Sequence, residues 1–282
     1  MIPAEFDYVA PASLDDALRA LADGGEDAKP LAGGHSLLPL MKMRLAVPTL
    51  LVDLRRVPGL QGIERENGDW RIGPLTRHAD LQVRGDLGVV AETASLIADQ
   101  QVRNRGTIGG SLAHGDPASD LPTVMVAAEG RVTIRGAGGG SREVAAADLF
   151  QDYLTTAVGP GEVITEVRIP ALDGWGHAYE KFTRRAEDWA MVGVCALVKR
   201  APDGSCEDVR VAFTNMASTP VRAGAVESAL RGGPLDEGAI AAAAEHAAEG
   251  TDPPADLNAS ADYKRHLARV LTRRALQRAA GS

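Results

Sequence analysis

The sequence is poor in cysteine, aromatic residues, net positive charge and long apolar runs, and each shortage excludes something. Cys195 and Cys206 are the only two cysteines in 282 residues. Two thiolates cannot ligate an iron–sulfur cluster that needs four, complete an all-cysteine zinc site or frame a disulfide-dense scaffold. The two could in principle pair, but they read more naturally as reduced intracellular thiols. Any redox chemistry therefore falls to an organic cofactor or to metals held by a partner chain. Aromatics make up 4% of the chain, so the core is built mainly from Ala, Val and Leu. With 30 basic against 38 acidic residues the net charge is −8. That balance excludes a general nucleic-acid or anionic-membrane binder, because such affinity comes from cationic neutralisation of phosphate. The longest apolar runs, such as WAMVGVCALV at 189–198, fall well short of the roughly 18 residues of a membrane helix. The opening MIPAEFDY carries Glu5 and Asp7 where a secretion signal needs a basic region. No transmembrane segment and a cytoplasmic location are expected.

What is present is ordinary globular material, 45% apolar and 24% charged, long enough for two domains with one subdivided. Ser13 is a good N-cap for a helix through Leu14, Ala17, Leu18 and Leu21 that breaks at Gly24–Gly25. A short strand at Lys29–Ala32, a short helix in LLPLMKMRL and a buried strand in TLLVDL at 49–54 complete a first α/β unit, residues 1–56. A second unit, 57–172, holds a strand at Trp70–Gly73, a short helix from Thr76 to Leu81 and a longer helix over 89–101. An apolar helix over Leu121–Ala128 follows, then strands at Arg131–Arg135, Arg142–Val144 and Glu162–Ile169. GAGGG at 136–140 lies between two strands and reads as a hairpin turn. Residues 173–282 change character, with strands at Ala178–Thr183, Ala190–Lys199 and Asp208–Asn215 and helices at 222–231, 236–248 and 261–279. The fold class is α+β.

Two glycine pairs stand out, Leu31-Ala32-Gly33-Gly34-His35-Ser36 and Thr107-Ile108-Gly109-Gly110-Ser111. Consecutive glycines let backbone N–H groups converge on an anion, and a neighbouring hydroxyl adds a donor, which suits a pyrophosphate. Taken singly, each pair reads more readily as a tight turn. Neither is a Rossmann G-x-G-x-x-G or a P-loop.

Together the loops are specific. LAGGHSLLPLMKMRLAVP at 31–48 and TIGGSLAHGDPASDLP at 107–122 resemble the FAD-binding medium subunit of molybdenum hydroxylases, most closely the carbon monoxide dehydrogenase type. FDYVAPASLDDAL, LVDLR, SLIADQQVRNRGTIGG and YEKFTRRAEDWA extend the resemblance over nearly the whole chain. The resemblance implies a bipartite FAD-binding domain of the type shared with vanillyl-alcohol oxidase relatives, made of two α/β subdomains. A C-terminal antiparallel sheet-plus-helices domain follows. It implies FAD contacts at Ala32, Gly33, Gly34, His35 and Ser36, where the diphosphate would lie, and at Thr107, Ile108, Gly109, Gly110 and Ser111. Asp120 falls where the family directs a carboxylate at ribityl or ribose hydroxyls, and Ile97, Ile164 and Lys181 fall at further contacts. Ser111 stands where the family commonly has Asn, so a hydroxyl replaces an amide. The implied partners are a [2Fe–2S] small subunit and a molybdenum-cofactor large subunit in a dimerised heterotrimer, with a quinone, oxygen or another external acceptor. Rival readings are a self-sufficient FAD-dependent oxidoreductase of the same fold and a flavin-free interaction subunit.

Several residues carry competing readings. Lys181 is either a solvated strand-edge charge or a cation near the flavin N1–C2 carbonyl, and Trp189 either a core residue or an aromatic beside the isoalloxazine. His35 and His114 read as loop hydrogen-bonding groups rather than metal ligands. His78 and Asp80 read as a solvated or dipole-compensating pair, and Asp116 as an Asx-turn former. The last helix carries Lys264, Arg265, Arg269, Arg273, Arg274 and Arg278 around an apolar line of Tyr263, Leu267, Val270 and Leu271. That pattern is a solvated basic face or a docking surface for a partner subunit. No nucleophilic triad and no metal site are indicated.

Overall fold

The structure is a computed structural model that describes residues 2–281. In the first unit, strands β1 (Asp7–Val9), β2 (Ala28–Leu31) and β3 (Leu50–Asp53) form a parallel sheet in the order β1-β3-β2. Helices α1 (Leu14–Gly24) and α2 (Leu37–Lys42) make the crossovers. Ser13 caps α1 as expected, its Oγ accepting from the Asp16 N–H. Ala17, Leu18 and Leu21 pack on β3 and on Leu75 and Val163 of the next unit, so the two units share a core.

The second unit is an antiparallel sheet, order β4-β5-β10-β6-β7, formed by β4 (Ile63–Glu66), β5 (Asp69–Ile72), β6 (Arg131–Arg135), β7 (Ser141–Ala145) and β10 (Val163–Pro170). Its helices are α3 (His78–Gln82), α4 (Val89–Ser95), α5 (Gln100–Arg103), α6 (Ile108–His114), α7 (Asp120–Ala127) and α8 (Ala146–Leu149), and β8 (Phe150–Asp152) and β9 (Thr155–Thr156) form a small hairpin. GAGGG makes the β6–β7 turn as expected. The single helix expected over 89–101 is two. Ala98 adopts a left-handed φ of 42°, and Asp99 then recaps the chain by accepting from the Val102 N–H. Thr76 does not cap α3; it exchanges hydrogen bonds with Gly62, and Arg77 occupies the cap position.

The last unit is the antiparallel sheet β11-β12-β13-β14, formed by β11 (Trp175–Phe182), β12 (Val192–Arg200), β13 (Cys206–Thr214) and β14 (Val221–Arg222). Helices α9 (Gly224–Leu230), α10 (Glu237–Ala244) and α11 (Ala261–Gly281) follow. Strand β12 reads as a continuous apolar run because both its faces are covered. Val192, Val194, Ala196 and Val198 meet the helices, while Cys195 and Leu197 meet α7 of the second unit. The two cysteines are therefore buried on opposite faces as free thiols. Helix α7 lies between two layers and is buried along its whole length.

Candidate functional site

A cleft of about 660 Å³ opens where the three units meet, within the roughly 300–1,000 Å³ of small-molecule and cofactor sites. Its walls are the 32–36 loop after β2, the start of α6, residues 158–164 leading into β10, and Lys181 with residues 187–189 beyond β11. Of the fifteen residues implied at the sequence level, all but Ile108 line it. Ile108 is fully buried in the second unit's core.

The two glycine loops differ physically. Gly34 holds a φ of +81°, a left-handed conformation that favours glycine. A Cβ on Gly33 would lie 2.3 Å from the Arg105 carbonyl oxygen, so this loop presses directly on the turn before α6. Among the described residues, no protein acceptor takes the N–H groups of Gly33, Gly34, His35 or Ser36. Four successive amides without protein acceptors, in a loop lining a cleft, are available to an anion. In the second loop the expected free amides are instead occupied. Ile108 donates to the Thr76 carbonyl, Gly109 to Pro74, Gly110 to Thr107 Oγ1 and Ser111 to the Thr107 carbonyl. Its glycines serve close packing: a Cβ on Gly109 would sit 2.4 Å from Pro74 Cβ, and one on Gly110 2.8 Å from Thr107 Oγ1. This loop lines the cleft with Thr107, Gly109, Gly110 and Ser111, and the Thr107 hydroxyl is already engaged by the Gly110 N–H.

Asp120 opens α7 and is 4% exposed. Its Oδ2 accepts from Lys181 Nζ at 2.8 Å and its Oδ1 from the Tyr179 hydroxyl at 2.8 Å. Lys181 also donates to the Leu96 carbonyl at 3.0 Å, so its ammonium ties β11 to the α4 end beside Ile97. Behind them Tyr179, Thr214 and Thr123 form a buried hydroxyl chain, and Gly193 leaves room for the Tyr179 oxygen. Burial pushes the Asp120 carboxyl above its ordinary range against the pull of Lys181 and Tyr179. Burial and then the charge of Asp120 drive the Tyr179 phenol well up, which keeps it a donor. The solvated-edge reading of Lys181 is thereby corrected: its side chain is 6% exposed and paired. The core reading of Trp189 is corrected too, since it is 58% exposed at the cleft.

Asp116 forms the expected Asx turn, accepting from the Ala118 N–H at 2.8 Å. Asp80 accepts from the Arg77 N–H at the start of α3, but its companion His78 is not solvated; it is 5% exposed against the cleft. Among the described residues no group of three or more His, Cys, Asp or Glu side chains could hold a metal ion. On α11, Lys264 belongs to the buried line rather than the basic face, and its Nζ lies 2.7 Å from Asp256. Tyr263 is exposed rather than in the apolar seam. Arg265, Arg269, Arg273 and Arg278 pair with acidic side chains of this chain, so most of that face is internally neutralised.

Sequence reasoning missed the 158–163 wall. Gly159-Pro160-Gly161 is a turn signal that could have found it; Gly161 has a φ of 72°, and Glu162 accepts from the Gly159 N–H while paired with Arg142. Glu187 and Asp188 were missed as well and carry no pattern that distinguishes them from solvated loop charges.

Residues 4–172 match the model of the FAD binding domain in molybdopterin dehydrogenase, and residues 177–279 that of the CO dehydrogenase flavoprotein C-terminal domain. The chain is 43% identical to the carbon monoxide dehydrogenase medium chain of Hydrogenophaga pseudoflava over 99% of this chain and 98% of that one. It is 41% identical to the 6-hydroxypseudooxynicotine dehydrogenase complex subunit alpha of Paenarthrobacter nicotinovorans, over 99% and 96%. In structure it matches carbon monoxide dehydrogenase from Hydrogenophaga pseudoflava with a TM-score of 0.95 at 44% identity, covering 100% of this chain and 99% of that one. It matches quinoline 2-oxidoreductase from Pseudomonas putida 86 with a TM-score of 0.95 at 34% identity and the same coverage. The expected α+β architecture, FAD-binding domain first and antiparallel sheet domain second, is the observed one. The chain belongs to the FAD-binding medium subunits of the molybdenum hydroxylase and carbon monoxide dehydrogenase family, and is an oxidoreductase subunit whose cofactor is FAD.

Proposed function

We propose that the cleft is the FAD seat and that the chain is the electron-transfer subunit between a [2Fe–2S] small subunit and an external acceptor such as a quinone or oxygen. The electrons originate at the molybdenum cofactor of a large subunit, in a dimerised heterotrimer. The observation that carries this reading is the nest of free amides at Gly33–Ser36, set in one cleft with the buried Asp120–Lys181 pair. The donor set fits the group: an anion nest for a diphosphate, a carboxylate acceptor for sugar hydroxyls, a cation, and apolar walls.

Bound FAD supplies the isoalloxazine's capacity for one- and two-electron redox chemistry, which lets it link one-electron clusters to a two-electron acceptor. The chain's own contribution is binding and tuning. The Gly33–Ser36 amides hold the diphosphate without contributing a full charge. Asp120 serves as acceptor for ribityl or ribose hydroxyls. Lys181 favours added negative charge on the ring system, and Asp120 tempers that cation so that binding does not depend on free charge in a half-dry site. Ile97 and Ile164 exclude water, and Trp189 offers an aromatic face at the mouth. Substrate choice is assigned to the molybdenum subunit, which fits relatives named for carbon monoxide, a nicotine derivative and quinoline. Two buried free thiols suit the reducing cytoplasm.

The test compares the FAD-loaded chain alone with the chain co-purified with its two partner subunits. Anaerobic addition of the complex's substrate is expected to bleach the flavin absorbance only in the complex. Bleaching of the chain alone, or turnover by the complex while its flavin stays oxidised, overturns the proposal.

A further inference from the structure

The imidazole of His78 is buried without using its hydrogen-bonding capacity. The residue is 5% exposed, and Nδ1 is sealed from solvent with no partner among the described residues. Among the described residues no group bonds to Nε2 either, and the residue lines the cleft. Such a group is rare in a folded interior, because an unmet polar atom costs stability. The surroundings are built around the ring. Its backbone N–H donates to the Gly106 carbonyl at 3.0 Å. A Cβ on Gly106 would lie 2.7 Å from Cδ2 and 2.9 Å from Nε2, so glycine there is what makes room for the imidazole. Gly33 in turn packs on Gly106, with a hypothetical Cβ 3.0 Å from its Cα. His78, Gly106 and the free-amide loop therefore form one continuous end of the cleft.

Burial, and after it the neighbouring His35 and Arg103, pull the pKa of His78 down to about 4, so the ring is neutral at physiological pH. Arg103 directs its guanidinium to the Ile97 and Ala98 carbonyls and offers the ring no acceptor. A proton on the sealed Nδ1 would be a buried orphan donor, a rarer arrangement than an orphan acceptor. This favours the Nε2–H tautomer, which leaves that nitrogen free to meet a ligand.

We propose that His78 is a further FAD-binding residue that presents Nε2–H as a neutral donor to the diphosphate held by the Gly33–Ser36 amides. This rests on the reading of the cleft as the FAD seat. A neutral donor adds a directional bond without a buried positive charge that would survive when the site is empty. It also accounts for a histidine at a cleft whose other features need no acid–base group.

The test uses the full-length chain, stripped of flavin, with FAD, ADP and riboflavin as probes. His78→Leu is expected to weaken FAD and ADP about tenfold or more and to leave riboflavin unchanged. His78→Gln, whose amide N–H can reach a similar place, is expected to bind FAD within about threefold of the parent chain. In 15N-histidine spectra the parent chain should show the Nε2–H tautomer at His78 and a shift of that nitrogen when ADP is added. This readout stands even if a variant does not fold. Equal FAD binding by parent and Leu variants, equal weakening by Leu and Gln, or an Nδ1–H tautomer unmoved by ADP overturns the inference. A parent chain that takes up no FAD sinks the reading of the cleft instead.

Discussion

Replacing Lys181 with Met tests the electrostatics of the cleft most sharply. The pair it breaks is dry, with the Lys181 and Asp120 side chains 6% and 5% exposed and 2.8 Å apart. Removing one partner of a buried pair costs about 3–5 kcal/mol, because the other charge is stranded. Here Tyr179 still donates to Asp120, so the lower end, about 3 kcal/mol, is expected. That corresponds to a fall in melting temperature of roughly 10 °C. The pH dependence has a definite sign. Asp120 already titrates above its ordinary value of 3.8 because of burial, and loss of the cation raises it further. As pH rises from acid, the unfolded chain releases this proton first, the folded state holds more protons, and stability falls. The Met variant's deficit is therefore smallest near the ordinary carboxylate range and largest at neutral pH. Asp120→Asn combined with Lys181→Met removes the stranded charge and should recover most of the loss. Thermal melts of the four proteins of this cycle across pH are the assay. A deficit independent of pH, or a double variant as unstable as Lys181→Met, refutes the reasoning.

Gly33→Ala drives a methyl to 2.3 Å from the Arg105 carbonyl and is expected to abolish FAD retention, while Gly138→Ala, with nothing within 4 Å, leaves it intact. Visible absorbance of the purified variants checks this. Trp189→Ala should change stability by no more than about 0.5 kcal/mol, since the side chain is 58% exposed. It should nonetheless remove much of the tryptophan-fluorescence quenching seen on FAD addition.

Local chemistry was legible in the sequence wherever one residue acts on its own neighbours. Ser13 capping α1, Asp116 turning on Ala118 and GAGGG closing a hairpin are such cases. The gathering of Gly33–Ser36, Asp120 and Lys181 into one cleft was legible only through the family resemblance, because the residues come from three units. What escaped depends on distant packing. The 89–101 helix broke because Ala98 takes a left-handed turn and Asp99 offers a new cap, against a smooth apolar periodicity. Gly109 reads like a phosphate-loop glycine, but Pro74, 35 positions earlier, sits where its Cβ would be. Lys264 sits at a helical position that sequence assigns to a charged face, yet the fold buries it beside Asp256. His78 looked solvated because nothing local shows that Gly106 folds over it.

The central claim is that this chain seats FAD in the cleft lined by Gly33–Ser36, Asp120 and Lys181. Titration of the purified chain with FAD, followed by visible absorbance and flavin fluorescence, measures it directly. The expected result is a yellow protein that saturates at one FAD per chain and loses that capacity in Gly33→Ala. A colourless, folded chain that takes up no FAD contradicts it.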